Sequence, residues 1–264
     1  MKSIESAASQ IRDLVSQARK VLVTTHASAG LDGVAASLAL AQSLRSFGKE
    51  VILAAPSPLN DTQRALPGSD QFKAGLGPRS LIVSIDYEPG SIQKVSYGTT
   101  GNKFNLVVTP GKGKQINADE VDFAYSGGDY NLVIVLDTAD PGLLGDIYET
   151  EGQAWANLPV INIDRHPANT QFGQVNAIDP EAKSVSEIVA RLLLAAKLPF
   201  SKETADLLLR GIREATKDFD DAGPGSFEVA AQIKRELQVK ETTEQRLVNE
   251  PFRKGENLQG VTPA

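Results

Sequence analysis

Cysteine is absent from this sequence. Disulfides, thiolate catalysis and cysteine-based zinc or iron–sulfur sites are therefore excluded. No apolar run approaches the ~20 residues that a membrane-spanning helix needs. The opening MKSIESAASQIRDLVSQARK is a polar, amphipathic helix pattern, not an apolar signal segment. The expected address is cytoplasmic, with no membrane partner. An excess of positive charge is lacking too: the formal net charge is −6. That argues against a broad nucleic-acid-binding face and leaves room only for a local basic cleft. Neither GxGxxG nor GxxxxGK[ST] occurs, so the common glycine-rich phosphate loops are not present. Internal repeats and low-complexity segments are absent as well. The short basic stretch GKGK at 111–114 reads as a solvated hairpin tip.

What is there is ordinary globular material. The 264 residues are 41% hydrophobic and 23% charged, enough for one large domain or two small ones. Residues 3–19 place Ile4, Ala7, Ala8, Ile11, Leu14, Val15 and Ala18 at helical spacing. The β-branched run VLVTT at 21–25 ends at His26. The loop ASAGLDG then leads to the helical run VAASLALAQSLRSF, with Gly48 fitting the helix end. VILAA at 51–55 reads as the next strand. Strands alternating with helices imply a parallel sheet covered on both faces. Residues 56–79 read as loop. Residues 80–125 carry short strand-like segments separated by PG and TTGN turns, which predicts an inserted antiparallel meander. LVIVL at 132–136 and PVINI at 159–163 are buried strand patterns, followed by Asp137 and Asp164. Ser184 with Glu187 three places on is a capping-box pattern that opens a helix. Helix patterns follow at 202–217 and from 226. The expectation is an α/β, doubly wound, mainly parallel sheet with helices on both faces. One α/β domain would occupy 1–238 with its insert at 80–125, and a polar C-terminal tail would occupy 239–264.

Ligands bind beyond the carboxyl ends of strands in an open parallel sheet. Three predicted strands end in residues of the metal-binding kind: His26, Asp137 and Asp164. A single aspartate at a strand end is most often a cap or turn residue. Three at one edge shift the balance. Both histidines of the chain, His26 and His166, fall directly after predicted strands.

These residues carry a resemblance. The DHH phosphoesterase superfamily opens with a strand, then His-x-Asn-Pro-Asp-x-Asp, then a helix, and VLVTTHASAGLDGVAASLAL is similar to it. LVIVLDTAD resembles the second motif, an aspartate after an apolar strand. INIDRHPANT resembles the Asp-His-His signature. GIREATKDF resembles the fourth motif, Gly-Ile-x-x-Asp-Thr-x-x-Phe. The resemblance covers roughly residues 10–237 apart from the insert.

The resemblance implies two divalent metals, usually manganese, with magnesium as the alternative. By motif position the first metal falls to His26, Gly30 and Asp137. The second falls to Asp32, Asp137, Arg165 and Ala215. His166 lies where the family contacts the substrate phosphate, and Asp164 where it orients its neighbours. The two would share the catalytic role if the chain is active, with Arg165 and His166 binding substrate. His26, Asp32 and Asp137 are the residual metal ligands. Gly30, Arg165 and Ala215 depart from the pattern. Glycine and alanine supply no side-chain ligand, and a guanidinium has no acceptor. Glu214, one residue from the lost position, is expected to face another way. The resemblance also implies a second, smaller domain with a glycine-rich substrate loop, which this sequence is expected to lack.

The resulting expectation is a phosphoesterase-like protein with impaired chemistry, retaining at most a phosphate- or nucleotide-binding or a structural role. The alternative is an active manganese-dependent phosphoesterase with an altered site. Its substrates would be short oligonucleotides or other small phosphoesters. A homo-oligomer is compatible with either.

Overall fold

The computed structural model describes residues 2–77, 80–126 and 129–249. Helix α1 (Lys2–Gln17) leads into β1 (Lys20–Thr25), α2 (Leu31–Ser46) and β2 (Glu50–Ala55). The stretch expected as loop after β2 holds short elements: α3 (Asp61–Arg64), a 3-10 turn at Ser69–Gln71, and the edge strand β3 (Phe72–Ala74). Asn60 and Gln63 cap α3 reciprocally, each side chain bonding the other's backbone. Elements this short carry no periodicity, which is why composition alone reads them as loop.

The insert contains β4 (Ser80–Ile85), β5 (Ile92–Thr100), β6 (Lys103–Pro110) and β7 (Val121–Ser126). All pairing in it is antiparallel, as expected. The pairing is nested: β5 pairs with β6 and β4 pairs with β7. The β5–β6 connection is the two-residue Gly101-Asn102, with Gly101 at φ 57, as tight hairpins prefer. GKGK lies in the turn after β6, where Lys114 pairs with Glu88 at 3.1 Å.

The chain returns through β8 (Leu132–Leu136), α4 (Asp146–Trp155), β9 (Val160–Asp164), β10 (Val175–Ile178), α5 (Val185–Ala195), α6 (Lys202–Ala215) and α7 (Pro224–Asn249). Helix α4 and strand β10 have no counterpart among the elements that the sequence predicts. The first is rich in polar residues, and the second is only four residues long. Helix α7 runs on through the described part of the stretch expected as a polar tail. Beyond Leu237 its Glu, Lys, Gln and Arg are good helix formers. Residues 250–264 lie outside the described residues.

Two compact units result, residues 1–75 with 130–264, and residues 76–129. The first contains a wholly parallel six-stranded sheet of order β10-β9-β8-β1-β2-β3. Strands β8 and β9 are buried at every residue and β1 at nearly all, as strands covered on both faces are. One hydrophobic cluster joins the sheet to α1, α2, α5, α6 and α7, with Val23, Ile134, Ile161, Ile188 and Leu208 fully shielded. Chain direction across the sheet reverses between β1 and β8. That is the topological switch point, where an open parallel sheet forms its ligand crevice.

Candidate functional site

Strand register places the candidate residues. Thr25 pairs with Leu136, and Leu136 with Ile163. The next residues along, His26, Asp137 and Asp164, therefore emerge side by side on neighbouring strands, whose spacing is about 4.8 Å. Asp137 takes φ 50, a left-handed conformation that L-residues rarely adopt, while its N–H still donates to Ile163 O at 2.9 Å. That backbone kink turns the Asp137 carboxylate off the strand line at the switch point.

Asp164 is fully buried and fully engaged. Its Oδ1 lies 2.7 Å from His166 Nδ1, and its Oδ2 accepts from Asn169 Nδ2 at 2.7 Å. The first contact orients the imidazole and leaves Nε2 as the outward atom. Asn169 also donates to Thr138 O at 3.1 Å and to Asn162 Oδ1 at 2.8 Å, tying the loop after β9 to the end of β8. Sequence reasoning missed Asn169. A lone asparagine in a loop gives no signal until the fold sets it against a buried carboxylate. Asp137, Asp164 and His166 each bring one donor atom within 4.8 Å of the others. His26 falls outside that trio, though it stands close enough to feel the charges of His166 and Asp164. Burial lowers the His26 pKa, which favours the neutral form able to act as a ligand.

Asp32 stands in a different role. Its Oδ2 accepts from Val185 N at 2.7 Å and its Oδ1 from Ser186 N at 3.1 Å. These are orphan N–H groups of the first turn of α5, so Asp32 caps that helix from a distance. Burial nevertheless pushes its carboxyl up to about 7, against those bonds. Gly211 of α6 closes the lid over it. A Cβ at 211 would lie 2.1 Å from Ser186 Oγ and 2.8 Å from Asp32 Oδ1, so only glycine permits this approach.

Arg165 Nε lies 3.7 Å from Asp137 Oδ1. The pair is ionic and too long for a hydrogen bond, and neither atom has a hydrogen-bond partner. Burial raises the Asp137 carboxyl to about 6, with Arg165 and then His166 pulling it down. The Arg165 side chain is 35% exposed, so its fork is only partly enclosed.

Glu214 departs from its expected orientation. Its Oε2 lies 3.9 Å from the point where a Gly30 Cβ would be. The reason is helical phase. Residue 214 is three places beyond Gly211 and so shares the face that Gly211 presses against α2.

The donor set can be weighed against the metals that the motifs imply. Buried Asp137 Oδ1 and His26 Nε2 lack hydrogen-bond partners, as atoms meant for an ion would. Among the described residues the grouped ligand atoms are those of Asp137, Asp164 and His166, a set that would suit one oxygen- and nitrogen-bound divalent ion, with His26 outside it. They do not fit a pair. Both Asp32 oxygens serve α5, Gly30 and Ala215 bring nothing, and Arg165 places a cation beside the shared carboxylate.

Known proteins share this frame. A probable bifunctional oligoribonuclease and PAP phosphatase NrnA from Streptococcus mutans is 35% identical over 101 residues, 38% of this chain and 30% of that protein. The bifunctional oligoribonuclease and PAP phosphatase NrnA from Thermus thermophilus is 23% identical over 215 residues, 81% of this chain and 49% of that protein. The chain thus spans half or less of the curated relatives it matches. The crystal structure of an exopolyphosphatase-related protein from Bacteroides fragilis superposes with TM-score 0.60 at 16% identity. The match covers 95% of this chain and 62% of that one, and shows the shared fold. Residues 20–212 match the model of the DHH family, N-terminal domain, and this chain belongs to that family.

Proposed function

We propose that this chain is a DHH-fold phosphoester-binding protein in which Arg165 has replaced the second metal, leaving one divalent-ion position and no two-metal hydrolysis. The observation that carries this reading is the 3.7 Å pairing of Arg165 Nε with Asp137 Oδ1. Two-metal hydrolysis needs both ions to activate water and stabilise the leaving oxygen. A guanidinium cannot bind and acidify water as a metal does, but its planar fork suits two phosphate oxygens. His166, held by Asp164 through Nδ1, offers Nε2 to the same phosphate. A bound manganese or magnesium ion would add Lewis-acid attraction for a phosphate oxygen. The ligand class is a nucleotide, a short oligonucleotide or another small phosphoester, since the named relatives are oligoribonucleases and PAP phosphatases. The proposed setting is cytoplasmic, where nucleotide ligands of that class would be met. No helix among the described residues is long and apolar enough to cross a membrane.

The test compares the unmodified chain with the triple variant Arg165→His, Gly30→Asp, Ala215→Asp in manganese. Binding of short oligoribonucleotides and PAP is followed by calorimetry, and hydrolysis with the same ligands and an aryl phosphodiester. Binding without turnover is expected of the unmodified chain, and turnover of the variant. Equal hydrolysis by both would refute the reading. Such a result would favour an active manganese-dependent phosphoesterase, and the placement of Glu214 beside Gly30 is the observation on its side.

A further inference from the structure

Each of the two ribbons of the insert is apolar on one face. In β5–β6, register sets Val95 opposite Val108, Tyr97 opposite Leu106 and Thr99 opposite Phe104 on the same side. Tyr97 and Phe104 stack diagonally across it, with ring centroids 5.8 Å apart. In β4–β7, Val83 lies opposite Phe123 and Ile85 opposite Val121, with Leu81 on the same side by the two-residue period. Both faces meet solvent: Leu81 is 54% exposed, Tyr97 78%, and Phe104 and Phe123 69% each. Those three aromatic rings alone present roughly 400 Å². That is about half of the ~800 Å² that each partner gives to a standard interface, before the aliphatic residues are added. Apolar patches of that size mark association surfaces, and a two-stranded sheet needs a covered face to be stable.

The charges point to what covers them. Residues 92–114 contain Lys94, Lys103, Lys112 and Lys114 and no acid, so GKGK belongs to a wholly basic stretch. Residues 80–91 and 115–126 contain Asp86, Glu88, Asp119, Glu120 and Asp122 and no lysine or arginine. Within one chain Lys114 pairs with Glu88 where the two stretches meet. Lys94, Lys103 and Lys112 form no ion pair among the described residues. The β5–β6 ribbon is thus apolar and basic, and the β4–β7 ribbon apolar and acidic. A two-fold axis that sets each ribbon on the other kind in a second chain satisfies both properties twice over.

We propose that the insert is a self-association arm. The apolar face of each β5–β6 ribbon lies on that of the β4–β7 ribbon of a second copy, giving a two-fold dimer. The rings and aliphatic residues carry the affinity. The lysines and acids rim the contact and fix its orientation, since a ribbon two strands wide keeps them within about a Debye length, ~10 Å, of the partner's charges.

Sedimentation equilibrium of the full chain tests the proposal. A dimer is expected at about 10 μM, because interfaces of standard size reach micromolar dissociation constants or tighter. Tyr97→Thr with Phe104→Thr should weaken it at least about tenfold, since central aromatics carry most of the energy of an interface. The thermal unfolding transition of that variant should be kept, because the buried hydrophobic residues lie in the other unit. One charge variant carries Lys94→Glu, Lys103→Glu and Lys112→Glu, and a second carries Asp119→Lys, Glu120→Lys and Asp122→Lys. Each should be monomeric at low salt, and an equimolar mixture of the two should form a heterodimer. A monomeric unmodified chain would overturn the proposal. If Tyr97→Thr with Phe104→Thr then lowers thermal stability, the faces are covered by the chain's own parallel-sheet unit. If it instead abolishes binding of a single-stranded oligonucleotide, they are a stacking platform. A dimer untouched by the ring substitutions, or charge variants that stay monomeric when mixed, would also overturn it. None of these outcomes bears on the phosphoester reading, which concerns Arg165 and its neighbours.

Discussion

Asp32 and Asp164 are both buried carboxylates beside a polar crevice, yet their partners separate their roles. Asp164 spends its oxygens on His166 and Asn169, and so positions a ring. Asp32 spends its oxygens on α5 and so holds a helix. Removing the Asn169 amide leaves Asp164 Oδ2 and Asn162 Oδ1 short of a donor in a buried setting, while Thr138 O keeps Asn162 Nδ2. Asn169→Ala should therefore cost about 1–3 kcal/mol, read by urea unfolding. Asp32 carries a pH signature. Its folded pKa stands near 7, above the ordinary 3.8, so the fold binds the proton more tightly than the unfolded chain. Its contribution is fully present below about pH 4 and is lost as pH rises through about 7. Asp32→Asn should flatten the decline in stability between pH 4 and pH 7. The difference between the two chains over that window should be no more than about 4 kcal/mol. An unaltered slope in the variant would show that Asp32 does not titrate there.

Helix α6 brings the fourth motif to the site, and Gly211 sets its distance. A methyl group at 211 would meet both Ser186 Oγ and Asp32 Oδ1 below contact distance. Gly211→Ala should push α6 outward and cost about 1–3 kcal/mol by overpacking. In thermal unfolding that is a fall of several degrees. The strands after which His26, Asp137 and Asp164 fall were legible as β-branched and apolar runs, each a local pattern. The short strands β3 and β10 were not, since three or four residues cannot display a period. The placement of Glu214 was not legible either. It depends on how closely α6 packs, and that is decided by contact with α2 and α5.

At the scale of the whole molecule, the core belongs to one of the two compact units. Among the described residues, none from 76–129 is a buried hydrophobic. That unit consists of two-stranded sheets, which are marginal alone, and it leaves Leu81, Tyr97, Phe104 and Phe123 largely exposed. Replacing residues 76–129 by a flexible glycine–serine linker should leave the parallel-sheet unit with a cooperative unfolding transition. It should also keep its manganese stoichiometry. Loss of the cooperative transition would show that the insert is part of the folding unit.

Local sequence was enough for the class of fold and for the line of candidate residues. Alternating strands and helices dictate a parallel sheet, and strand ends in such a sheet face the ligand crevice. The motif order therefore pointed to His26, Asp137, Asp164 and His166, and to the vacancies at Gly30, Arg165 and Ala215. Roles were another matter. Whether Asp32 faces an ion or a helix end depends on where α5 begins in space, far along the chain. Whether Arg165 meets Asp137 depends on the register of β8 against β9. Whether Glu214 reaches Gly30 depends on a glycine three residues before it. Each is a contact between segments that the backbone brings together only after the core has closed. The chemistry of a carboxylate is set by such neighbours more than by its own identity.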